Sequence, residues 1–261
     1  MPIVKCDNFI EVYRNKARSK NINELSGRPG RPDLTQFVSQ SILLEVDIKQ
    51  ADVLVDIGCG DGSLLKIAAP KIFSGIGILP TEEEVGRVRK NLVSASSKIR
   101  IQKGLVQQTK LDSAVADKIV CNGVIILLVE PEVNIALREL VRIAKPGAVV
   151  FIGEVPQVNE FEGKTYGNSI ILWLWWVLRK QGVSAFIQCL GQTFKSFVSS
   201  EPFIIAPKPH FYERREQFIE RAEKCGLSLK SSFYHQEGTR DNHVASSKTR
   251  LDYVFTVVKN Q

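Results

Sequence analysis

Three glycines follow a short apolar run at alternate positions in residues 55–62, which read VDIGCGDG. Where a strand ends in a glycine-rich turn before a helix, bare backbone lets a ligand come close, and free N–H groups bind the polar parts of a nucleotide-like molecule. The dinucleotide fingerprint is G-x-G-x-x-G, but here the third glycine comes one position earlier, at Gly62. The turn is therefore G-x-G-x-G, which indicates a nucleotide-like ligand of another class.

Two further segments carry a resemblance to a known family. Residues 117–124 (DKIVCNGV) and 140–147 (LVRIAKPG) follow residues 55–62 in the order and at the spacing of the class I S-adenosylmethionine-dependent methyltransferases. The chain resembles this family over roughly residues 40–155, and more loosely over 211–259. The resemblance implies a doubly wound, mostly parallel α/β sheet of Rossmann-like type, with S-adenosylmethionine as the cofactor and methyl transfer as the reaction.

The resemblance also assigns residues to the cofactor site. It implies that Gly58 and Gly60 lie against the methionine portion, that Asp56 orients the turn or reaches the cofactor amine through water, and that Asn122 and Gly123 face the sulfonium and the substrate. The full set of expected cofactor-binding residues is Asp56, Gly58, Cys59, Gly60, Gly77, Ile78, Leu105, Val106, Asn122 and Gly123.

Two departures from the family pattern affect this set. Gly77 stands where the family carries an acidic residue for the ribose hydroxyls, and Leu105 or Val106 stands where an Asp pairs with the adenine amine. Each charge-assisted hydrogen bond lost in this way is worth about 1.5–3 kcal/mol. Substitutes are available in Glu82 and Glu83 for the ribose and in Gln107 and Gln108 for the adenine.

Few side chains could accept a proton, since the chain has three histidines. His210 is the first candidate general base, because its loop leads back into the α/β pattern close to where the family places its acceptor. Glu154 is the second, because open α/β sheets bind ligands outside the carboxyl ends of their strands. His235 and His243 are expected to be solvated surface residues.

Residues 155–209 interrupt the α/β pattern and are expected to form a helical insertion, or lid. Residues 170–178 are apolar on every side, and residues 183–198 have an amphipathic helical pattern. Four interpretations stay open for residues 170–198: the core of the insertion itself, a pocket for an apolar acceptor, a homodimer contact, and a peripheral membrane or lipid contact with Arg179 and Lys180 at the headgroups. The candidate substrate-binding residues are Trp173, Trp176 and Tyr212.

The elements that must position these residues follow from the alternation of β-branched runs and helical patterns. Strands are predicted near 53–57, 73–78, 99–103, 118–123, 148–154, 228–235 and 251–259. Thr81 and Glu84 form a capping-box pattern that opens a helix, and a second helix is predicted over 211–225. Residues 1–50 are expected to be mainly helical, and the 261 residues to form one methyltransferase domain.

Composition limits the other function classes. Five scattered cysteines without Cys or His ligand spacing indicate no metal site and a reducing, cytoplasmic location. The net charge of +7 is spread out, and residues 170–178 are about half a membrane span. The expected function is methyl transfer to an oxygen or nitrogen of a small molecule such as a sugar, a lipid-linked compound or a secondary metabolite, with no nucleic-acid partner. A methyltransferase-like scaffold without activity and a nucleic-acid methyltransferase are the alternatives.

Overall fold

The structure is a computed structural model that describes residues 3–19, 21–28, 32–92, 97–158, 203–205, 211–238 and 244–258, and residues 175, 178, 179, 183, 186 and 187. The chain divides into two compact units. A larger unit holds residues 13–158 and 208–261, and a smaller unit holds residues 1–12 and 159–207.

The strands and helices are numbered in chain order. The strands are β1 (Ile3–Lys5), β2 (Val53–Ile57), β3 (Ser74–Leu79), β4 (Ile99–Lys103), β5 (Ala116–Asn122), β6 (Ala144–Pro156), β7 (Phe203–Ile205), β8 (Leu227–Gly238) and β9 (Val244–Val257). The helices are α1 (Phe9–Ala17), α2 (Pro32–Glu45), α3 (Ser63–Ala68), α4 (Glu82–Leu92), α5 (Glu130–Ile143) and α6 (Arg215–Lys224). Short 3₁₀ turns cover Ile22–Ser26, Ala69–Lys71 and Ile125–Leu127.

The larger unit is built on a seven-stranded sheet with the strand order β4-β3-β2-β5-β6-β9-β8. Strands β2 to β6 are parallel, whereas β9 runs antiparallel to β6 and to β8. The order reverses between β2 and β5, which is where sheets of this kind bind ligands at the carboxyl ends of their strands. This is the doubly wound, mostly parallel sheet that the sequence predicts.

The sheet has a hydrophobic core on each face, as the sequence of β2 requires. Val55 and Ile57 face a core that contains α5 and α6, while Leu54 faces the other core, with α2, α3 and α4. Neighbouring residues of a strand point to opposite faces, so a strand covered on both sides is apolar at almost every position. Asp56 is buried within this apolar strand, with 4% of its surface exposed.

Most predicted strand boundaries agree with the structure to within a few residues, with two differences. Strand β6 already begins at Ala144, so residues 145–147 belong to the strand and not to a turn before it. The last two strands extend past the predicted bounds 228–235 and 251–259, because β8 and β9 continue to pair as far as Gly238 and Val244. Alternating polar residues in this hairpin resemble a loop in sequence, but cross-strand pairing holds them extended.

The smaller unit contains the parallel pair β1 and β7, in which Val4 is opposite Ile204. Its described residues between 175 and 187 are helical. Trp175 is 50% exposed, and the Arg179 guanidinium lies 5.0 Å from the centroid of its ring. Val183 and Ile187 are 64% and 61% exposed. No helix within the described part of the chain has the length and apolar character that crossing a membrane requires.

Candidate functional site

The glycine turn after β2 has the left-handed backbone that favours glycine. Gly58 has φ +69° and Gly60 has φ +56°. A Cβ atom on Gly58 would lie 2.5 Å from Val124 Cγ2, and one on Gly60 would lie 3.0 Å from the carbonyl oxygen of Leu25. The turn is therefore packed between the loop after β5 and the 3₁₀ turn at residues 22–26, with no room for side chains at either position.

Backbone donors in this turn are only partly used. The N–H of Gly58 donates to the carbonyl of Ile78 at 2.9 Å, and the N–H of Gly62 donates to that of Cys59 at 2.8 Å. Hydrogen bonds within the described residues leave the N–H groups of Gly60 and Asp61 without an acceptor. These two donors lie just before the start of α3. Because no described residue accepts from them, a ligand could use them.

Three ionisable groups surround the turn in a dry environment. Burial, together with the neighbouring charge of Asp61, raises the pKa of Asp56 to about 8. Burial likewise raises the pKa of the Cys59 thiol well above its ordinary value. Asp61 is buried and accepts a hydrogen bond from the N–H of Ser63 at 3.0 Å, which stabilises the start of α3.

Gly77 lies in the middle of β3 and is paired with Asp56 on one side and Ile101 on the other. A Cβ atom there would lie 2.5 Å from Ile101 Cδ1, 2.7 Å from Cys59 Sγ and 2.9 Å from Leu65 Cδ1. Ile78, also expected at the site, has a buried side chain and offers its carbonyl oxygen to the turn. Gly77 therefore has no room for a side chain and lies two residues before the end of β3, whereas the resemblance implies an acidic residue at the strand end.

Leu105 and Val106 begin a tight turn after β4. Leu105 and Gln108 exchange two backbone hydrogen bonds of 3.1 and 3.0 Å. Leu105 is 39% exposed, whereas Val106 is buried in the core beside β2 and β3. The N–H of Gly104 donates to the carbonyl of Leu79, so this turn lies next to the carboxyl end of β3.

Asn122 and Gly123 end β5 beside the carboxyl end of β6. The Asn122 amide donates to Glu154 Oε1 at 3.0 Å, and its Oδ1 is buried without a hydrogen-bond partner in the described part of the chain. Gly153 makes room for this amide, since a Cβ there would lie 2.1 Å from Asn122 Oδ1. A buried amide oxygen that accepts no hydrogen bond destabilises the fold. This oxygen could therefore accept a hydrogen bond from a ligand.

Glu154 joins distant parts of the larger unit. Its Oε1 accepts a hydrogen bond from Arg28, which follows the 3₁₀ turn at residues 22–26, and its Oε2 accepts one from Arg250 at 2.8 Å. The residue lies at an irregularity in the β6–β9 pairing with φ +58°, and its N–H donates to Asp252 at 2.8 Å. A non-glycine residue in this conformation is uncommon and is held here by side chains from three directions.

The electrostatics of Glu154 bear on its expected role as a base. Burial alone would raise the pKa of this carboxyl, but the charges of Arg28, His235 and Arg250, with the Asn122 hydrogen bond, hold it at about 2. A carboxylate with so low a pKa takes up a proton poorly near neutral pH. The geometry therefore favours Glu154 as an anchor for Asn122 and Arg28 over Glu154 as a proton acceptor.

His235 is buried, with 3% of its surface exposed, and the expectation of a solvated surface histidine is wrong. Its Nδ1 lies 2.9 Å from Asp252 Oδ2, and its Nε2 lies 3.8 Å from Glu154 Oε1. Sequence reasoning missed this group because Asp252 and Arg250 come from β9, and only the hairpin brings them to His235. The alternation of side chains along a strand places His235 on one face of the sheet, but it does not show that other residues bury this face.

The remaining candidates divide into two groups. Tyr212 is 36% exposed and precedes Glu213, whose N–H donates to the carbonyl of Pro156 at 3.2 Å, so it lies just beyond the carboxyl end of β6. His210, Trp173 and Trp176 lie outside the described residues. Within the described part of the chain, no group of three or more His, Cys, Asp or Glu side chains could hold a metal ion.

Comparison with known proteins gives a family match and many structural matches. Residues 55–152 match the family model of a methyltransferase domain. The structure is similar to the N-methyltransferase NodS of Bradyrhizobium japonicum, solved with S-adenosyl-L-homocysteine, at 14% identity and a TM-score of 0.60, covering 97% of this chain and 100% of that one. A methyltransferase of Aquifex aeolicus that depends on S-adenosylmethionine matches at 16% identity and a TM-score of 0.56, covering 92% of this chain and 100% of that one.

One structural match is named for another reaction. The [4+2]-cyclase SpnF is 12% identical, with a TM-score of 0.62, and the match covers 100% of this chain and 99% of that one. At such identities the likeness concerns the fold alone. A search of curated proteins found no match.

The matched domain begins within β2 and ends within β6, so it contains the glycine turn, the carboxyl ends of β2 to β5 and Asn122. With this match, the sheet order and the glycine turn in agreement, residues 55–152 are a methyltransferase domain on a doubly wound, mostly parallel sheet.

Proposed function

We propose that this methyltransferase transfers the methyl group of S-adenosylmethionine to an oxygen or nitrogen atom of a small-molecule acceptor. The observation that carries the proposal is the glycine turn, where Gly58 and Gly60 leave no room for side chains and two backbone donors have no acceptor among the described residues. When bound, the cofactor supplies a methyl group on a sulfonium, whose sulfur leaves readily as a neutral thioether. The protein has to bind the cofactor and the acceptor, orient them and exclude water.

The residues present fit the methionine half of the cofactor well. The N–H groups of Gly60 and Asp61 can donate to its carboxylate, and Asp56 can face its amine. The buried oxygen of Asn122, which has no partner in the described part of the chain, supports contact at the sulfonium end. Cys59, Ile78, Leu105, Val106 and Gly123 are proposed as cofactor contacts through their positions around the turn. Gly77 does not fit a ribose contact through a side chain.

The acceptor is proposed to lie beyond the carboxyl ends of β5 and β6. Glu154 holds Asn122 in place there, and Tyr212 lies just past the end of β6. His235 lies near this end of the sheet, with Asp252 at its Nδ1 and Glu154 Oε1 3.8 Å from its Nε2. His210 remains a proposed general base, with Trp173 and Trp176 as proposed substrate contacts, in a helical lid of residues 155–209.

The basic residues are spread along the sequence and are not clustered, which supports a small-molecule acceptor over nucleic acid. The cyclase match supports one alternative, in which the fold hosts a reaction other than methyl transfer, since a shared fold does not determine function. A homodimer or a peripheral lipid contact through residues 170–198, and a cytoplasmic location, remain proposals.

The test is thermal unfolding with and without S-adenosyl-L-homocysteine or S-adenosylmethionine at millimolar concentration. A ligand that binds only the native state adds about 2.7 kcal/mol at a hundredfold excess over its Kd, so Tm should rise by several degrees. Gly60→Ala should abolish the shift, because its Cβ would press against Leu25 at φ +56°. Gly86→Ala, at a glycine of α4 with open space around it, should keep the full shift.

Two outcomes would count against the proposal. If Tm of the folded wild type does not move with either compound, the inactive scaffold is favoured. If Tm rises but S-adenosylmethionine is never converted to its demethylated product with any acceptor in a broad panel of small hydroxyl and amine compounds, a reaction of the cyclase type is favoured.

A further inference from the structure

The family's usual carboxylate for the cofactor ribose has no counterpart in the sequence of β3, which reads SGIGIL, and Gly77 has no room for one. A side chain on Gly77 would overlap Ile101, Cys59 and Leu65, all within 3 Å of its Cβ. The two acidic residues that open the next helix do not replace it. Glu82 is exposed, and Glu83 is directed to Arg14 and Arg18, at 3.6 and 3.7 Å.

One face of α4 packs directly on the glycine turn. A Cβ on Gly62 would lie 3.0 Å from Val88 Cγ1 and 2.9 Å from Leu92 Cδ1, and Asn91 donates to the carbonyl of Asp61. Residues four apart on a helix lie on the same face. Glu84 therefore lies on the stripe that contains Val88 and Leu92, one turn closer to the carboxyl ends of β2 and β3.

Glu84 is a buried carboxylate with acceptor capacity to spare. It is 2% exposed, and its Oε2 accepts the Thr81 hydroxyl at 2.6 Å, while its N–H donates back to Thr81 at 3.2 Å. No described residue donates to its Oε1. A carboxylate offers about four acceptor positions, so the bond from Thr81 leaves room for two more hydroxyl donors.

We propose that Glu84 of α4 replaces the missing strand carboxylate and accepts hydrogen bonds from the ribose hydroxyls of the cofactor. The inference rests on the proposed function, because it identifies the sugar-binding group of the same site. Glu84 is one helical turn from the residues that contact Gly62, and its charge interacts with Cys59 of the glycine turn. The ribose would lie on this side of the turn if the methionine portion binds to Gly60 and Asp61.

The charge state of Glu84 gives this contact a pH dependence. Burial raises the pKa of Glu84 to about 7, against the hydrogen bonds from Thr81; Glu83 raises it further and Arg14 lowers it. The other ionisable groups that interact with Glu84 are Cys59 of the glycine turn and Tyr13 and Lys16 of α1. A protonated Glu84 would lose a charge-assisted acceptor, so cofactor affinity should increase as pH rises through 7.

The experiment is isothermal titration of the full chain with S-adenosyl-L-homocysteine at pH 6, 7 and 8. In the wild type, Kd should fall about tenfold from pH 6 to pH 8, because the ionised fraction of a group with a pKa near 7 rises by that factor. Glu84→Gln should raise Kd about 10- to 100-fold at pH 8. Glu82→Gln, on the exposed face of the same turn of the helix, should bind as the wild type does.

Asp56 also has a raised pKa, so the wild-type pH dependence contains its contribution. The difference between the wild type and Glu84→Gln isolates Glu84, and the remaining slope in the variant belongs to Asp56. The 2′-deoxyribose analogue of S-adenosyl-L-homocysteine provides a second measurement. Removal of one hydroxyl should weaken binding to the wild type about tenfold and change binding to Glu84→Gln little.

Each result decides the inference. Circular dichroism and a cooperative thermal transition establish that Glu84→Gln is folded. If the folded variant has the wild-type Kd at pH 8, or if both proteins lose the same factor with the deoxy analogue, Glu84 does not hold the ribose. If the wild type does not bind S-adenosyl-L-homocysteine at any of the three pH values, the proposed function and this inference both fail.

Discussion

At the scale of single residues, the clearest feature is a carboxylate held by groups that are far away in sequence. Glu154 lies within hydrogen-bond distance of residues 126, 32 and 96 positions away, namely Arg28, Asn122 and Arg250. Its positive φ is a local cost of about 1–3 kcal/mol that these contacts offset. This strain lies beside the proposed acceptor, where a fixed side chain orients Asn122.

Replacing the carboxylate of Glu154 should change how the free energy of unfolding depends on pH under acidic conditions. The folded pKa of Glu154, about 2, lies below its ordinary value of 4.5, so its contribution is present above pH 4.5 and is lost as pH falls toward 2. Glu154→Gln should lower the free energy of unfolding at pH 7 by about 3–5 kcal/mol, because two arginines lose their counter-charge. Urea unfolding between pH 7 and pH 2 should show a shallower decline for the variant.

A matched control is available at an exposed pair. Glu220→Gln removes a helix-surface partner of Lys224, and its unfolding curve should match that of the wild type, because exposed ion pairs contribute little to stability. If the pH profiles of Glu154→Gln and the wild type run parallel from pH 5 to pH 2, Glu154 is not the anchor that its contacts indicate.

At the scale of secondary-structure elements, α4 and β3 divide a task that the family assigns to a strand end. Strand β3 has glycines at 75 and 77, and the side chains of Ile99, Leu65 and Ile101 fill the space next to them. Helix α4 then comes close to the glycine turn through Val88 and Leu92. The lack of side chains at Gly75 and Gly77 of β3 and the buried Glu84 of α4 are thus parts of one arrangement.

Restoring the family's acid on the strand should therefore harm the protein. Gly77→Asp should lower the free energy of unfolding by at least about 2 kcal/mol, through overpacking and a buried carboxyl paired opposite Asp56. Urea unfolding at pH 7 measures this change. Gly86→Asp, at an open position on α4, should stay within about 0.5 kcal/mol of the wild type. A Gly77→Asp protein that is as stable as the wild type and binds S-adenosyl-L-homocysteine more tightly would assign the ribose to the strand after all.

At the scale of the whole molecule, Glu84 links folding stability to function in opposite directions. Its folded pKa of about 7 lies above the ordinary value of 4.5, so the native state binds the extra proton between these values. The corresponding stability is present below pH 4.5 and is lost as pH rises through 7. Glu84 therefore contributes least to the stability of the cofactor-free protein at the pH where its carboxylate must be charged to bind the cofactor. Such a loss of stability is common at binding sites.

This opposition predicts that Glu84→Gln is more stable than the wild type at high pH while binding the cofactor less tightly. At pH 8 the gain should be up to about 3 kcal/mol, since each pKa unit corresponds to 1.36 kcal/mol, and it should vanish near pH 4. Urea unfolding without cofactor at pH 4, 6 and 8 measures it. Asp56 is present in both proteins and cancels in the comparison. A variant that is less stable than the wild type at pH 8 would mean that Glu84 is stabilised in its charged form.

The sequence by itself determined the methyltransferase domain, the sheet and the glycine turn, because these depend on local patterns. Alternation of β-branched runs with helical periodicity predicts the strands from β2 to β6, and the spacing of Gly58, Gly60 and Gly62 predicts a turn that needs positive φ. Only the tertiary structure decided which polar side chains meet. Arg28, Glu154, His235 and Arg250 converge through β-sheet pairing, and Glu84 reaches the glycine turn because α4 packs across it. Contacts between residues far apart in sequence depend on that packing, and no local pattern records which side chains it will bury together.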